Sequence, residues 1–278
     1  MAVSTEQSAR ADEFAGLHRP GEPLLLPNAW DAGSAAVIAA AGARAVATTS
    51  GGVAWSLGAP DGRGLDPTDA AGVIARIVAA VDVPVTADIE DGYGATPADV
   101  AATVTAIAEA GAVGVNLEDS PGADGAPLRT PEVQAERLAA ARAAADRLGL
   151  ALWINARTDV YLRGVGDPDG RIDATLERAR LFADAGASSL FVPGCLAPDA
   201  LAAFVAGPLP VNAMVWPGAP SVAELAALGI ARISLGTTLP QAAYAMAQRC
   251  TVEMLEQGTY DTGKDGLAYP ELNGLLTR

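Results

Sequence analysis

The stretch Val83-Pro84-Val85-Thr86-Ala87-Asp88-Ile89-Glu90-Asp91-Gly92-Tyr93-Gly94, continued by Ala95-Thr96-Pro97 and an Ala-rich run to Ala110-Gly111-Ala112, spells out one complete structural unit. Its apolar opening reads as a buried strand, Thr96-Pro97 as a helix cap and first helical residue, and Gly111 as a left-handed stop before the next strand at Val113. The strand ends in three acids within four positions, Asp88, Glu90 and Asp91. Burying ionised carboxylates costs roughly several kcal/mol each unless a cation sits among them. The acids therefore either fan into solvent or hold a metal ion or a substrate. Asp88 and Glu90, two apart on an extended chain, are expected on one side, with Asp91 opening the turn.

The same unit recurs along the chain. Strand-like runs lie at 24–28, 45–50, 83–90, 113–119, 152–159, 189–194, 210–215 and 232–236, and helical patterns at 31–41, 66–80, 96–110, 130–147, 171–185, 197–204, 220–227 and 239–257. Helices end in Ala41-Gly42-Ala43, Ala110-Gly111-Ala112, Ala185-Gly186-Ala187 and Leu228-Gly229-Ile230, the stop that an αβ loop uses. Eight alternations with nearly apolar strands predict an α/β fold, a closed parallel (β/α)8 TIM barrel, with a doubly wound open sheet as the alternative. All 278 residues are expected in one domain, with a leading helix in 1–20 and a tail at 258–278.

Half the residues are hydrophobic and only 5% aromatic, which suits closely packed helices on a sheet. A net charge of -15 argues against nucleic-acid partners and anionic membranes. A small anionic substrate is compatible with that charge where a cation or an arginine reverses the local field. Cys195 and Cys250 have no metal-ligand spacing, no secretion-type apolar segment opens the chain, and no uninterrupted apolar run reaches membrane-spanning length. A reduced, cytoplasmic protein is expected.

In such a barrel the chemistry sits at the carboxyl ends of the strands. Those ends carry Asn28 and Asp31; Ser50-Gly51-Gly52 with Asp61 following; Asp88 and Glu90; Glu118 and Asp119; Asn155, Arg157 and Asp159; Pro193-Gly194; Asn212; and Gly236. Asp31 reads first as a helix N-cap, Asp61 in Pro60-Asp61-Gly62 as a turn residue, Asp119 and Asp159 as helix-entry or salt-bridge residues, and Cys195 as packing. Ser50-Gly51-Gly52 reads as a βα turn whose N–H groups are able to approach an anion. Asp88, Glu90 and Glu118, on adjacent strand ends, would repel one another strongly in a low-dielectric mouth. A Mg2+ or Mn2+ ion held partly through water resolves that repulsion, and Arg157 supplies a fixed cation for a substrate carboxylate.

From Leu26-Pro27-Asn28-Ala29-Trp30-Asp31 to Ile233-Ser234-Leu235-Gly236 the chain resembles the isocitrate lyase/phosphoenolpyruvate mutase superfamily. The resemblance rests on Thr49-Ser50-Gly51-Gly52, Pro60-Asp61-Gly62, the 88–94 stretch, Asn116-Leu117-Glu118-Asp119, Ile154-Asn155-Ala156-Arg157-Thr158-Asp159 and Phe191-Val192-Pro193-Gly194. It implies that Asp61, Asp88, Glu90 and Glu118 surround Mg2+, that Ser50, Gly51, Gly52, Trp30 and Asn212 contact substrate, and that Arg157 grips it. Asp61, Arg157 and Glu118 would be the catalytic groups. It implies carbon-carbon cleavage of a small 2-oxo or 2-hydroxy carboxylate through a pyruvate-type enolate. Phosphorus-carbon chemistry on a phosphonopyruvate, or a non-catalytic barrel that binds a metal or dicarboxylate, are the other readings. A homo-oligomer, tetramer or dimer, that exchanges its last barrel helix is implied as well.

Two departures qualify the resemblance. Glu90 stands where the family's strand pattern has a second Asp. The loop 120–130 lacks the lyase branch's Cys, Lys and His and the mutase branch's Lys and Asn, so it offers no thiol acid. It reads as a Gly- and Pro-rich mobile lid into which Arg129 enters on closure.

Overall fold

The computed structural model describes residues 3–62, 65–121 and 127–277. The chain opens with helix α1 (Thr5–Gly16), and strands and helices then alternate: β1 (Leu24–Leu26), β2 (Asn28–Ala29), α2 (Ala32–Ala40), β3 (Val46–Thr48), α3 (Ser50–Ser56), α4 (Pro67–Ala80), β4 (Val85–Asp88), α5 (Pro97–Glu109) and β5 (Gly114–Glu118). The second half runs α6 (Pro131–Leu148), β6 (Trp153–Arg157), α7 (Arg171–Asp184), β7 (Ser189–Phe191), α8 (Pro198–Val205), β8 (Val211–Met214), α9 (Val222–Ala227), β9 (Arg232–Ser234), α10 (Thr238–Gln257) and α11 (Tyr269–Leu276).

All strand pairings are parallel, in the order β1-β9-β8-β7-β6-β5-β4-β3-β2. β1 pairs with β9 and β2 with β3, so the two are halves of one barrel strand divided at Pro27, which has no N–H to give the ladder. Nine short strands thus occupy eight positions of a nearly closed (β/α)8-type barrel. Gly42, Gly111, Gly186 and Gly229 have φ of 98°, 98°, 92° and 89°, the left-handed helix stops expected from the sequence.

One deviation lies after β3. Ser50-Gly51-Gly52, expected as a turn, is the first turn of the additional helix α3, with Thr49 as N-cap. The floor of the barrel is closed by α1, whose Gln7 Nε2 donates to the carbonyls of Ala108 and Ala112 at 2.7 and 3.0 Å. Beyond it, His18 stacks on Trp153 with ring centroids 4.0 Å apart and places Nδ1 2.8 Å from the Phe14 carbonyl. Burial, then the charge of Arg232, lowers its pKa to about 3, so the ring is neutral at the floor. The other end of the barrel, where the acids stand, is the open one.

α10 does not complete the helical ring in the manner of the others. It approaches β2, but of its 20 residues only Pro240 and Glu253 are buried. α11 lies against α2. Among the described residues no helix is long and apolar enough to cross a membrane.

Candidate active site

β4 stops at Asp88, not at Glu90 as the extended reading had it. The Asp88 backbone N–H donates to Thr48 Oγ1 at 2.9 Å, which ties β4 to β3, and the carboxylate Oδ2 accepts the Ser50 N–H at 3.3 Å. Glu90 then adopts φ 51° and Tyr93 φ 53°, left-handed conformations that cost a non-glycine residue on the order of 1 kcal/mol or more. The turn is held from outside. Arg137 on α6, buried at 1% exposure, gives hydrogen bonds to the carbonyls of Asp91, Gly94 and Ala95.

The consequence is a carboxyl with nowhere to go. Glu90 is buried, and its Oε1 has no hydrogen-bond partner among the described residues. Burial first, then the charges of Asp88, Asp61 and Asp91, push its pKa up to about 8, with Arg157 opposing.

Asp61 lies on the rim. The residue is exposed, yet its carboxyl leans over Gly51, where an added Cβ would come within 3.2 Å of Oδ2. Desolvation and Asp88 raise its pKa against the hydrogen bond from the Ser50 side chain. The two glycines of α3 are demanded by packing: a Cβ at Gly51 would meet Thr237 at 2.9 Å, and one at Gly52 would meet Thr49 and Trp30, both at 2.8 Å. Ser50, Gly51, Gly52, Trp30, Asp61 and Asp88 are therefore one neighbourhood.

The next two strands are arranged differently. Arg157 Nη1 lies 2.6 Å from Glu118 Oε2, while its Nε and Nη2 grip Asp159 Oδ1 and Oδ2 at 2.6 and 3.0 Å. The guanidinium carbon stands 5.8 Å from the Phe191 ring centre. Burial pulls the guanidinium pKa down, but Glu118 and Asp159 outweigh it and hold the group charged. Burial raises the Glu118 carboxyl against the pull of Arg157. Behind them, the Ser120 hydroxyl donates to Asp159 Oδ2 at 2.6 Å, and Asp119 meets Arg178 at 3.1 Å.

Asp119 and Asp159 are thus salt-bridge residues. Asp31 is an N-cap, in a capping box with Ser34. Cys195 is buried, and burial pushes its thiol pKa up, which marks packing, not a nucleophile. Arg129 pairs with Asp91 at 2.7 Å and donates to the Ser120 carbonyl. The centre of the expected lid, residues 122–126, lies outside the described residues.

Inside the barrel, one layer below, the sequence reading missed a polar lattice. Asn155 Nδ2 donates to Asn116 Oδ1 at 2.9 Å, Ser189 Oγ donates to Asn155 Oδ1 at 2.7 Å, and Arg232 Nη2 reaches the same Asn116 oxygen at 3.2 Å. Asn212 is the register partner of Arg232 on the adjacent strand, and its Oδ1 accepts from Ser234 Oγ at 3.3 Å. A lone arginine in the apolar run Ile230-Ala231-Arg232-Ile233 was the available signal.

The donor set fits a hard divalent cation. It consists of oxygen ligands, one of them a buried orphan, and acids close enough to raise one another's pKa. Among the described residues no three such side chains are gathered closely enough to hold an ion by themselves.

Residues 14–255 match the family model for phosphoenolpyruvate phosphomutase. The chain belongs to that family, within the PEP mutase/isocitrate lyase superfamily. It is 38% identical over 227 residues to an uncharacterised protein of Mycobacterium tuberculosis, covering 81% of each chain. A solved structure from Burkholderia cenocepacia J2315, provisionally termed a lyase/mutase, is 39% identical with a TM-score of 0.90, over 99% of this chain and 98% of that one. Oxaloacetate acetylhydrolase in complex with its product oxalate is 26% identical with a TM-score of 0.85, over 97% of this chain and 94% of that one.

Proposed function

We propose that the protein is a Mg2+- or Mn2+-dependent lyase that breaks a carbon-carbon bond in a small 2-oxo or 2-hydroxy carboxylate through a pyruvate-type enolate. The observation that carries this reading is the gathering of Asp61, Asp88, Glu90 and Glu118 at neighbouring strand ends beside a buried, permanently charged Arg157. When bound, the cation supplies Lewis acidity toward the two oxygens of an α-oxo or α-hydroxy acid. Asp88, held by Thr48 and Ser50, and Glu90, with its free oxygen, are the groups assigned to hold it. Arg157 orients the substrate carboxylate, sharing its fork with Glu118 and Asp159. The α3 turn at Ser50, Gly51 and Gly52, with Trp30 beside it, forms the opposite wall. Asn212, in register with Phe191 next to Arg157, is assigned a further polar contact. Asp61 and Glu118, whose carboxyls burial raises, are assigned to hold and move protons. Phosphorus-carbon bond chemistry on a phosphonopyruvate is the second reading, favoured by the family that the chain matches.

Purified protein with Mg2+ should turn over at least one member of a panel of 2-oxo acids, 2-hydroxy diacids and phosphonates, with Asp88→Ala and Arg157→Ala each abolishing it. No turnover across the panel, with metal bound, would sink the lyase reading. Appearance of inorganic phosphate or an isomerised phosphonate would select the second.

A cytoplasmic homo-oligomer exchanging α10 is also proposed. α10 exposes Tyr244, Met246, Met254 and Leu255, and a groove of about 530 Å³ lined by Leu17, Leu24, Leu25, Ile38, Leu235 and Leu239 lies open along the barrel. Its occupant is assigned as α10 of a second copy. Light scattering should show a dimer or tetramer that Leu25→Glu dissociates; a wild-type monomer at micromolar concentration overturns the assignment.

A further inference from the structure

We infer that Arg232 is a positioning residue of the acid cluster: its guanidinium, fixed inside the barrel beneath the strand ends, is the counter-charge that holds the Asp88 carboxylate in place. Arg232 opens β9 and is 1% exposed. Its Nη2 crosses the barrel to Asn116 Oδ1, while its Nε and Nη1 have no hydrogen-bond partner among the described residues. Asn116 is the register partner of Asp88 on the adjacent strand. Neighbouring parallel strands lie about 4.8 Å apart, so the anchor of the guanidinium sits beside Asp88.

A charged group enclosed with two donors unspent is costly, and such groups persist where an opposite charge compensates them. Of the carboxylates, Asp88 is the one whose field opposes the burial that otherwise draws the Arg232 pKa down to about 9. On the floor side the neighbour is His18, which is neutral and offers no counter-charge. The lattice of Asn155, Ser189 and Asn116 holds the arginine at a fixed depth. Arg157 pairs with Glu118 and its field also reaches Asp61, Asp88 and Glu90; Arg232 adds a second charge that faces Asp88 from below.

This deepens the reading of the acids as a metal platform, but its test needs no metal. Stability toward urea is measured in chelator for the wild type, Arg232→Met, Asp88→Asn and the double variant. Arg232→Met should lower the midpoint clearly when Asp88 is intact and less than half as far when Asp88→Asn is already present, with Arg232→Lys retaining most of the coupling. Equal losses in both backgrounds would assign Arg232 to packing and overturn the inference. Should Arg232→Met not fold, Arg232→Gln is carried through the same four-way comparison and judged by the same criterion. Mn2+ titration of the wild type is the separate arm: absence of binding sinks the metal reading while the coupling result stands.

Discussion

The two sides of the barrel mouth handle charge in opposite ways. On the β5–β6 side Glu118, Arg157, Asp159, Ser120, Asp119 and Arg178 form a continuous chain of ion pairs and hydrogen bonds. On the β3–β4 side Asp61, Asp88 and Glu90 crowd together, and among the described residues none of them is in an ion pair and Glu90 keeps a buried oxygen without a hydrogen-bond partner. One side is finished by the protein itself. The other keeps an unpaired buried carboxyl oxygen, and the proposed cation site rests on that contrast.

The sharpest way to break the comparison is to unmake the finished side. Arg157→Met removes the cation from between two carboxylates in a buried setting, and breaking such a pair costs roughly 3–5 kcal/mol. Urea unfolding near neutral pH should show a loss of that order. A loss below about 1 kcal/mol would mean the pair behaves as an exposed one.

The next effect comes from the unfinished side and from pH. Glu90 has a folded pKa of about 8 against an ordinary value of 4.5. The folded state therefore holds a proton that the unfolded chain has released, and stability falls as pH climbs from 4.5 to about 8. The expected loss in chelator is on the order of a few kcal/mol across that window. Glu90→Gln should flatten it. An unchanged slope in the variant would assign the pH dependence to other groups.

How much of this was legible in the sequence follows the same division. The barrel was legible because each unit carries its own punctuation: apolar strand, cap, helix, and a glycine stop that indeed sits at positive φ at Gly42, Gly111, Gly186 and Gly229. The strand-end residues were legible because period-2 alternation and barrel topology place them. What escaped depends on tertiary contacts. Pro27 splits a strand only because both neighbours exist to be paired; Gly51 and Gly52 of α3 are demanded by Thr237 and Trp30, which lie far along the chain or on another element. Glu90 leaves the extended backbone because Arg137, far along the chain on α6, draws in the carbonyls after it. Arg232 read as one residue in a β-rich run, since nothing local says that its side chain crosses the barrel.

On the proposed reading, a divalent cation should stabilise the β3–β4 side alone. At about a hundred times its dissociation constant, Mn2+ or Mg2+ should raise stability by about 2.7 kcal/mol. Asp88→Asn should remove most of that gain. Monitored by thermal unfolding with and without the ion, a gain that survives Asp88→Asn would place the binding elsewhere.

The smallest effect marks the boundary between scaffold and site. Asp31 follows Trp30, close to the crowded acids, but its carboxylate accepts the Ser34 N–H at 2.7 Å and, with Ser34, closes a capping box on α2. Losing an N-cap of this kind costs about 1 kcal/mol. Asp31→Ala should therefore lower stability by that amount in chelator and leave both the Mn2+-induced gain and the Glu90 pH slope as they are, because its charge is spent on a helix end. If Asp31→Ala instead diminishes the metal response, Asp31 belongs with Asp61 and Asp88, and the unfinished side of the mouth extends around the barrel to the first strand.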